Sequence, residues 1–240
     1  MDKNYRTLDE ILASSRAVRE GLADLRRTSV CVVMFVDLVG STAYKEQNPA
    51  EEVWLARLAA FLTAVTEIVS AHGRVVKYIG DEVMAVFEAS DAVLHAEHAA
   101  ELIVSFCLRS GDMNFQVKIG LDLGKASFLT FPDLGQNGSA MIGDPQGTVV
   151  DRCARIVGQA LPNTILTSQS FVDASGSRSR WRLAGTLKPK GFSQKLRIFQ
   201  LRFAESEGSS VVLREELSSV ECQKELAETR RMLEELKAMR

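Results

Sequence analysis

Apolar positions along the chain change their spacing several times, and each change predicts an element. Leu8, Ile11, Leu12, Val18, Leu22 and Leu25 recur at helical intervals, which predicts an amphipathic helix ahead of the first strand. Val30 to Val36 is a continuous apolar run, the pattern of a strand covered on both faces. It stops on Asp37, just before a glycine turn that carries two hydroxyls, Gly40-Ser41-Thr42. Asn48-Pro49 then offers an N-cap and a first-turn proline to a helix from Pro49 to about His72, with Leu55, Leu58, Ala59, Leu62, Val65 and Val69 on its apolar face. Gly73 ends it. Within Lys77 to Phe87, apolar residues flank Gly80-Asp81 on both sides, which predicts a tight hairpin with a carboxylate at its tip.

A second helix is expected over roughly Ser90 to Leu108, and Gln116 to Phe131 reads as a long strand or as a strand pair interrupted at Gly124. Gly135 to Gly138 marks a loop before Ala140 to Gly143, Val149 to Ala160 is helical, and Thr164 to Thr167 is a short strand. Trp181 to Leu187 and Lys195 to Phe203 form a closing hairpin around Pro189 to Ser193. This order predicts an α+β fold, a sheet covered by helices on one face. Polar Glu205 to Ser210 reads as a linker. Val211 to Arg240 reads as a charged helix with Leu226, Thr229, Leu233 and Leu236 in a partial heptad, compatible with a short coiled coil. The expected organisation is an N-terminal helical segment over 1–28, one catalytic domain over 29–204, and a linker and C-terminal helix over 205–240.

Composition narrows the classes. The 240 residues are 46% hydrophobic and 25% charged, as in an ordinary globular protein with room for one substantial core. A net charge of -2 gives no sign of a nucleic-acid or anionic-membrane surface. Met1 to Arg27 has no signal-peptide core, and no apolar run approaches the length of a membrane span, so no membrane span and a cytoplasmic location are expected. Cys31, Cys107, Cys153 and Cys222 lack disulfide or metal spacing and should be reduced. His72 precedes a helix-ending glycine, while His95 and His98 share an i,i+3 helix face where a metal pair is conceivable and a partly exposed surface is the plainer reading.

The chemistry-bearing stretches are the strand end at Asp37, the hairpin tip at Asp81, and a third segment, Gly143-Asp144-Pro145-Gln146-Gly147-Thr148-Val149-Val150-Asp151-Arg152-Cys153-Ala154-Arg155-Ile156. Two carboxylates brought together suit hard divalent cations. Asp151 and Arg155, four residues apart on a helix, share a face and can reach one substrate together.

From about Ser29 to Phe203 these stretches resemble the catalytic homology domain of class III nucleotidyl cyclases, which has a ferredoxin-like layout. The resemblance implies that the ribose 3′-hydroxyl of a nucleoside triphosphate attacks the α-phosphate and expels pyrophosphate. It also implies that Asp37, Leu38 and Asp81 hold two divalent cations, Mg²⁺ or Mn²⁺. Arg155 falls where the family stabilises the pentavalent phosphate, and guanidinium suits that charge. Asp151 stands where most active members have Asn, and an ionised Asp can only accept from a ribose hydroxyl. The turn amides around Gly40, Ser41 and Thr42 could bind phosphate, and Lys188 or Lys190 matches the family's late triphosphate-binding lysine.

Lys77 and Asp144 align with the pair that selects adenine in adenylyl cyclases. Tyr44, seven residues after Asp37, stands where adenylyl cyclases usually carry an aliphatic residue, and it either narrows the base pocket or packs on the following helix. The bulky tyrosine resembles the pyrimidine cyclases of Pycsar anti-phage systems, which implies cyclic UMP or CMP; cyclic AMP is the alternative, and a silent dimeric nucleotide-sensing module is the alternative of another class. A guanylyl cyclase fits Lys77 and Asp144 poorly. Class III sites form between two domains, so one domain carrying both residue sets implies a head-to-tail homodimer with shared sites. A downstream cyclic-nucleotide receptor is implied but not identified, and no nucleic-acid partner is expected.

Overall fold

A computed structural model describes residues 7–131, 141–203 and 219–238. The expected loop at Gly135 to Gly138, the linker at Glu205 to Ser210 and the first residues of the C-terminal helix lie outside them. Two short helices, α1 (Leu8–Glu20) and α2 (Leu22–Leu25), lead into strand β1 (Arg26–Leu38). A Thr7/Glu10 capping box opens α1, Gly21 separates it from α2, and none of its residues is buried. Then come α3 (Ser41–Gln47), α4 (Glu51–Ser70), the hairpin β2 (Arg74–Ile79) and β3 (Glu82–Phe87), and α5 (Ala92–Leu108). The second half holds β4 (Val117–Phe131), β5 (Met141–Ile142), α6 (Thr148–Val157), β6 (Thr164–Ser168), α7 (Gln169–Ala174), β7 (Trp181–Leu187), β8 (Leu196–Leu201) and α8 (Ser219–Ala238).

The strands form one sheet in the order β2-β3-β1-β4-β6-β8-β7, with β5 paired to the end of β4. Strand β1 is antiparallel to both neighbours: it pairs with β4 from Arg26↔Leu129 to Leu38↔Val117 and with β3 from Val32↔Phe87 to Asp37↔Glu82. Gly124 does not interrupt β4, because it pairs with Cys31 inside that unbroken ladder.

Alternate β1 residues point to opposite cores. Val30, Val32, Met34, Val36 and Leu38 join Phe61, Val65 and Val69 of α4, Ala96 and Ile103 of α5, and Phe171 of α7. Cys31, Val33 and Phe35 join Val149, Cys153 and Val157 of α6 on the other face. The expectation of helices on one face is therefore corrected: α4, α5, α7 and α8 cover one side, and α6 covers part of the other. Two local expectations also change. Asn48 is not the N-cap of α4; it closes α3, with its backbone and side-chain nitrogens donating to the Tyr44 carbonyl at 3.0 and 2.9 Å. In α8, Thr229, Met232 and Leu236 are buried and the helix packs on α7 of its own domain, so its apolar stripe is not free for a coiled coil.

Among the described helices, α4 is long and apolar enough to cross a membrane by length and composition. This corrects the expectation that no apolar run approaches that length. Here α4 lies on the sheet with Phe61, Val65 and Val69 fully buried.

Helix α6 sits very close to β4. A Cβ on Gly120 would stand 2.8 Å from the Val157 amide nitrogen, and one on Gly124 would stand 2.9 Å from the Val149 Cβ. Backbone cannot yield as a side-chain end can. Gly120→Ala is therefore expected to cost about 2–3 kcal/mol of stability in urea unfolding. Gly176→Ala, where a Cβ meets nothing within 4 Å, should change it little.

Candidate active site

Asp37 stands at the end of a strand paired on both sides, so its backbone is fixed by its neighbours. Its direct partners are Glu82 on β3 and Lys118 on β4. By the alternation above, all three point to the α6 side of the sheet, at a place that α6 leaves open. Asp81 lies beside them at the tip of the β2–β3 hairpin, where Gly80 takes φ +67° and Asp81 does not need a positive φ, as in a type II′ turn.

The acids load this corner with like charge. Burial pushes the Asp37 carboxyl above its usual range and Asp81 adds to the rise, while Lys118 opposes it. Burial, with Asp37 and Asp81, raises Glu82 to about 7. Divalent cations suit such a corner, since they remove the repulsion and accept hard oxygen ligands. Among the described residues, no group of three or more His, Cys, Asp or Glu is placed to hold a metal ion by itself. The remaining ligands would come from backbone carbonyls, water or phosphate oxygens, as in sites built for metal-bound nucleotides. The Leu38 side chain is buried in the core, so only its carbonyl could take part.

After Asp37 the chain turns at Gly40 (φ +73°) into α3, leaving Gly40 and Thr42 exposed and Ser41 buried at the first helical position. Tyr44 follows one turn later. The Arg57 guanidinium of α4 lies over its ring, 4.4 Å from the centroid. Arg57 also lies over Phe115 at 4.9 Å and donates to the Met113 carbonyl at 3.1 Å and the Asn114 carbonyl at 3.3 Å. Tyr44 therefore packs on the following helix through Arg57.

Lys77 and Asp144, far apart in sequence, form an ion pair. The Asp144 segment is tied to β4 by the Gln146 and Ser127 backbones, which exchange two 2.8 Å hydrogen bonds. On α6, Val149, Cys153, Ile156 and Val157 are buried, while Asp151 and Arg155 are exposed together on the outer side. Arg152 turns into the sheet: its Nε donates to Asp122 Oδ2 at 2.7 Å and its Nη2 to the Leu123 carbonyl at 3.2 Å. Lys188 and Lys190 flank buried Pro189 after β7, the edge strand opposite β2. One chain thus gathers Asp37, Asp81 and Glu82 at one place and Lys77 with Asp144 at another. It leaves the late lysines beside the far edge strand.

Sequence reasoning missed Glu82, Arg57 and the Asp122–Arg152 pair. An acid inside the apolar run Ile119 to Leu123 was the available signal for the last, since a buried charge requires a partner. His95 is half-buried and His98 exposed, in line with the plainer reading of that face, and the His95 ring stacks on His72, centroids 3.9 Å apart. Cys31, Cys107 and Cys153 are free and buried, with burial pushing the first two thiols up to about 12.

A sheet whose central strand ends on one acid beside a hairpin tipped by another is the framework of a nucleotide-cyclising catalytic domain. The chain belongs to that family: the model of the adenylate and guanylate cyclase catalytic domain matches residues 24–175. Two uncharacterized Mycobacterium tuberculosis proteins, Rv2212 and Rv1320c, are 33% and 30% identical to it over 195 residues. Each match covers 79% of this chain, but only 46% and 34% of those proteins, so the chain spans less than half of their length. The adenylyl cyclase CyaB from P. aeruginosa shares the fold with TM-score 0.63 at 19% identity, over 80% of this chain and 99% of that one. The catalytic core of a rhodopsin-guanylyl cyclase with converted specificity, in complex with ATPalphaS, does so with TM-score 0.64 at 18%, over 74% and 97%.

The crowded acids carry a pH signature. Glu82 binds a proton in the folded chain up to about 7 and in the unfolded chain only near 4.5. Its contribution is therefore most favourable at low pH and is lost as pH rises through this window. Thermal unfolding of the metal-free protein should show stability falling between about pH 5 and pH 8. Glu82→Gln should flatten that fall, and Mg²⁺ should reduce it.

Proposed function

We propose that the chain is a class III nucleotidyl cyclase that converts a nucleoside triphosphate to its 3′,5′-cyclic nucleotide and pyrophosphate. The observation that carries the reading is the meeting of Asp37, at a strand end, and Asp81, at a hairpin tip, in one corner where each acid burdens the next. Asp37, Asp81 and the Leu38 carbonyl would hold two divalent cations, Mg²⁺ or Mn²⁺, which would supply charge for the triphosphate and a lower pKa for the attacking 3′-hydroxyl. Arg155 stabilises the charge that grows on the α-phosphate oxygens, and Asp151 accepts a hydrogen bond from the ribose. The amides of Gly40, Ser41 and Thr42 and the ammonium of Lys188 or Lys190 hold the triphosphate.

Exposed Arg155 and Asp151 on α6, and lysines beside the edge strand remote from Asp37, support sites completed across a head-to-tail homodimer. Lys77 and Asp144 put a cationic donor beside an acceptor. That order complements an acceptor ring nitrogen next to an exocyclic amine, which adenine and cytosine present on their Watson–Crick edges and guanine and uracil do not. The proposed substrate is therefore CTP or ATP: the ion pair suits both bases, and Tyr44, packed on Arg57 of α4, does not choose between them. Cyclic CMP fits an anti-phage signal with its own receptor.

The deciding assay incubates the protein with ATP, GTP, CTP and UTP separately, with Mg²⁺ or Mn²⁺, and identifies products by mass spectrometry. Cyclic CMP or cyclic AMP is expected; cyclic GMP or cyclic UMP alone would overturn the base reading, and no product from any nucleotide would leave a silent module. Asp37→Asn and Asp81→Asn should each abolish turnover. Arg155→Ala should lower kcat by about 10²–10³-fold with a smaller change in KM.

A further inference from the structure

Asp122 is wholly shielded from solvent in the middle of β4, on the face that carries α6. One carboxylate oxygen accepts from Arg152 Nε at 2.7 Å and the other from Ser168 Oγ, at the end of β6, at 2.6 Å. The second Arg152 bond, from Nη2 to the Leu123 carbonyl at 3.2 Å, makes the guanidinium a two-point anchor between helix and strand. Burial favours the protonated acid, and Arg152 and Ser168 oppose it.

A buried ion pair is a poor source of net stability, since apolar side chains of similar volume often serve as well or better. Its geometry suggests a different role. Gly120 and Gly124 let α6 come close, and the Cys153 thiol donates to the Val33 and Gly120 carbonyls at 3.2 and 3.3 Å beneath the helix. Such contacts on the helix underside set its depth, whereas a side chain reaching down from the flank sets its rotation. On an α-helix, Asp151 and Arg155 stand about 40° apart and within about 100° of Arg152. A roll of about 20° would carry a group 6 Å from the axis by about 2 Å. Misplacing a reacting or stabilising group by about 1 Å can cost about 10²-fold in rate.

We infer that Asp122 and Arg152 are positioning residues for the phosphoryl-transfer step: their pairing fixes the rotation of α6 on β4 and so aims Arg155 and Asp151. This rests on the cyclase reading above. The test is the double variant Asp122→Leu/Arg152→Met, which removes the pair without stranding a charge, examined by thermal unfolding, steady-state kinetics and crystallography. The expected result is a Tm no lower than that of the unaltered protein, a kcat lower by about tenfold to hundredfold, a nucleotide KM within about threefold, and a rotated α6. Arg152→Lys, which keeps the charge but loses the fork, should fall between the two and serves alone if the double variant does not fold. A folded double variant with kcat within about twofold of the unaltered protein, or with α6 in its original rotation, overturns the inference. If the unaltered protein cyclises none of the four nucleotides, the cyclase reading fails, and the rotation of α6 in the variant still decides what the pair does.

Discussion

The pairing of β1 on both sides is the constraint from which the rest follows. A strand hydrogen-bonded to β4 along its length and to β3 over its second half cannot slip by one residue without exchanging its two apolar faces. Both faces are buried against different side chains, so a slip would mispack both cores. The register therefore places Asp37 opposite Glu82 and Lys118, on the open face, with no contribution from the acid itself. A hydrophobic argument fixes the location of a charge. The hairpin adds Asp81 by the same logic, because β3 is locked to β1 and the two-residue turn at Gly80-Asp81 leaves its tip no other place.

The two faces of the sheet play different parts. Helices α4 and α5 cover one side with large apolar side chains, among them Phe61, Val65 and Ile103. That side contributes stability, at about 1.5–3 kcal/mol for each large apolar side chain buried. The other side carries α6 close against glycines and a single buried ion pair, a seam built for accuracy of placement more than for area. The polar groups with candidate roles in chemistry lie on this second side or in the loops beside it. Packing of the first face lets the second hold repelling acids and exposed cations, since a fold tolerates local cost only where the surroundings determine it.

Much of this was legible in the sequence, and the misses share a cause. The apolar run ending on Asp37, the hairpin around Gly80-Asp81, the helix carrying Asp151 and Arg155 and the closing hairpin are local patterns, and local patterns survive translation into structure. Asn48-Pro49 misled because a cap residue can serve the helix before it as well as the one after; here its amide closes α3. Gly124 leaves a long strand and an interrupted one both open, because a glycine inside a strand usually weakens it. The sequence could not show that Val149 and Arg152 of a later helix lie against that position. The second layer of helix was missed for the same reason. Arg57 on Tyr44, and Arg152 on Asp122, are contacts across 13 and 30 positions that no periodicity encodes.

The distribution of charge bears on why one chain carries everything and yet gathers only parts of it. Asp37, Asp81 and Glu82 lie close enough for burial and mutual repulsion to raise the pKa of Asp37 and Glu82. Lys118 opposes that rise at Asp37. Arg155 stands on the exposed side of α6, and Lys188 and Lys190 follow the edge strand opposite the acid-tipped hairpin. In phosphoryl transfer the protein supplies little covalent chemistry, and rate comes from charge placed on both sides of the reacting phosphate. Under the proposed head-to-tail homodimer, a second copy would present Arg155 and the late lysines to the acids of the first, and the register of β1 together with the rotation of α6 would set whether the two halves meet in alignment.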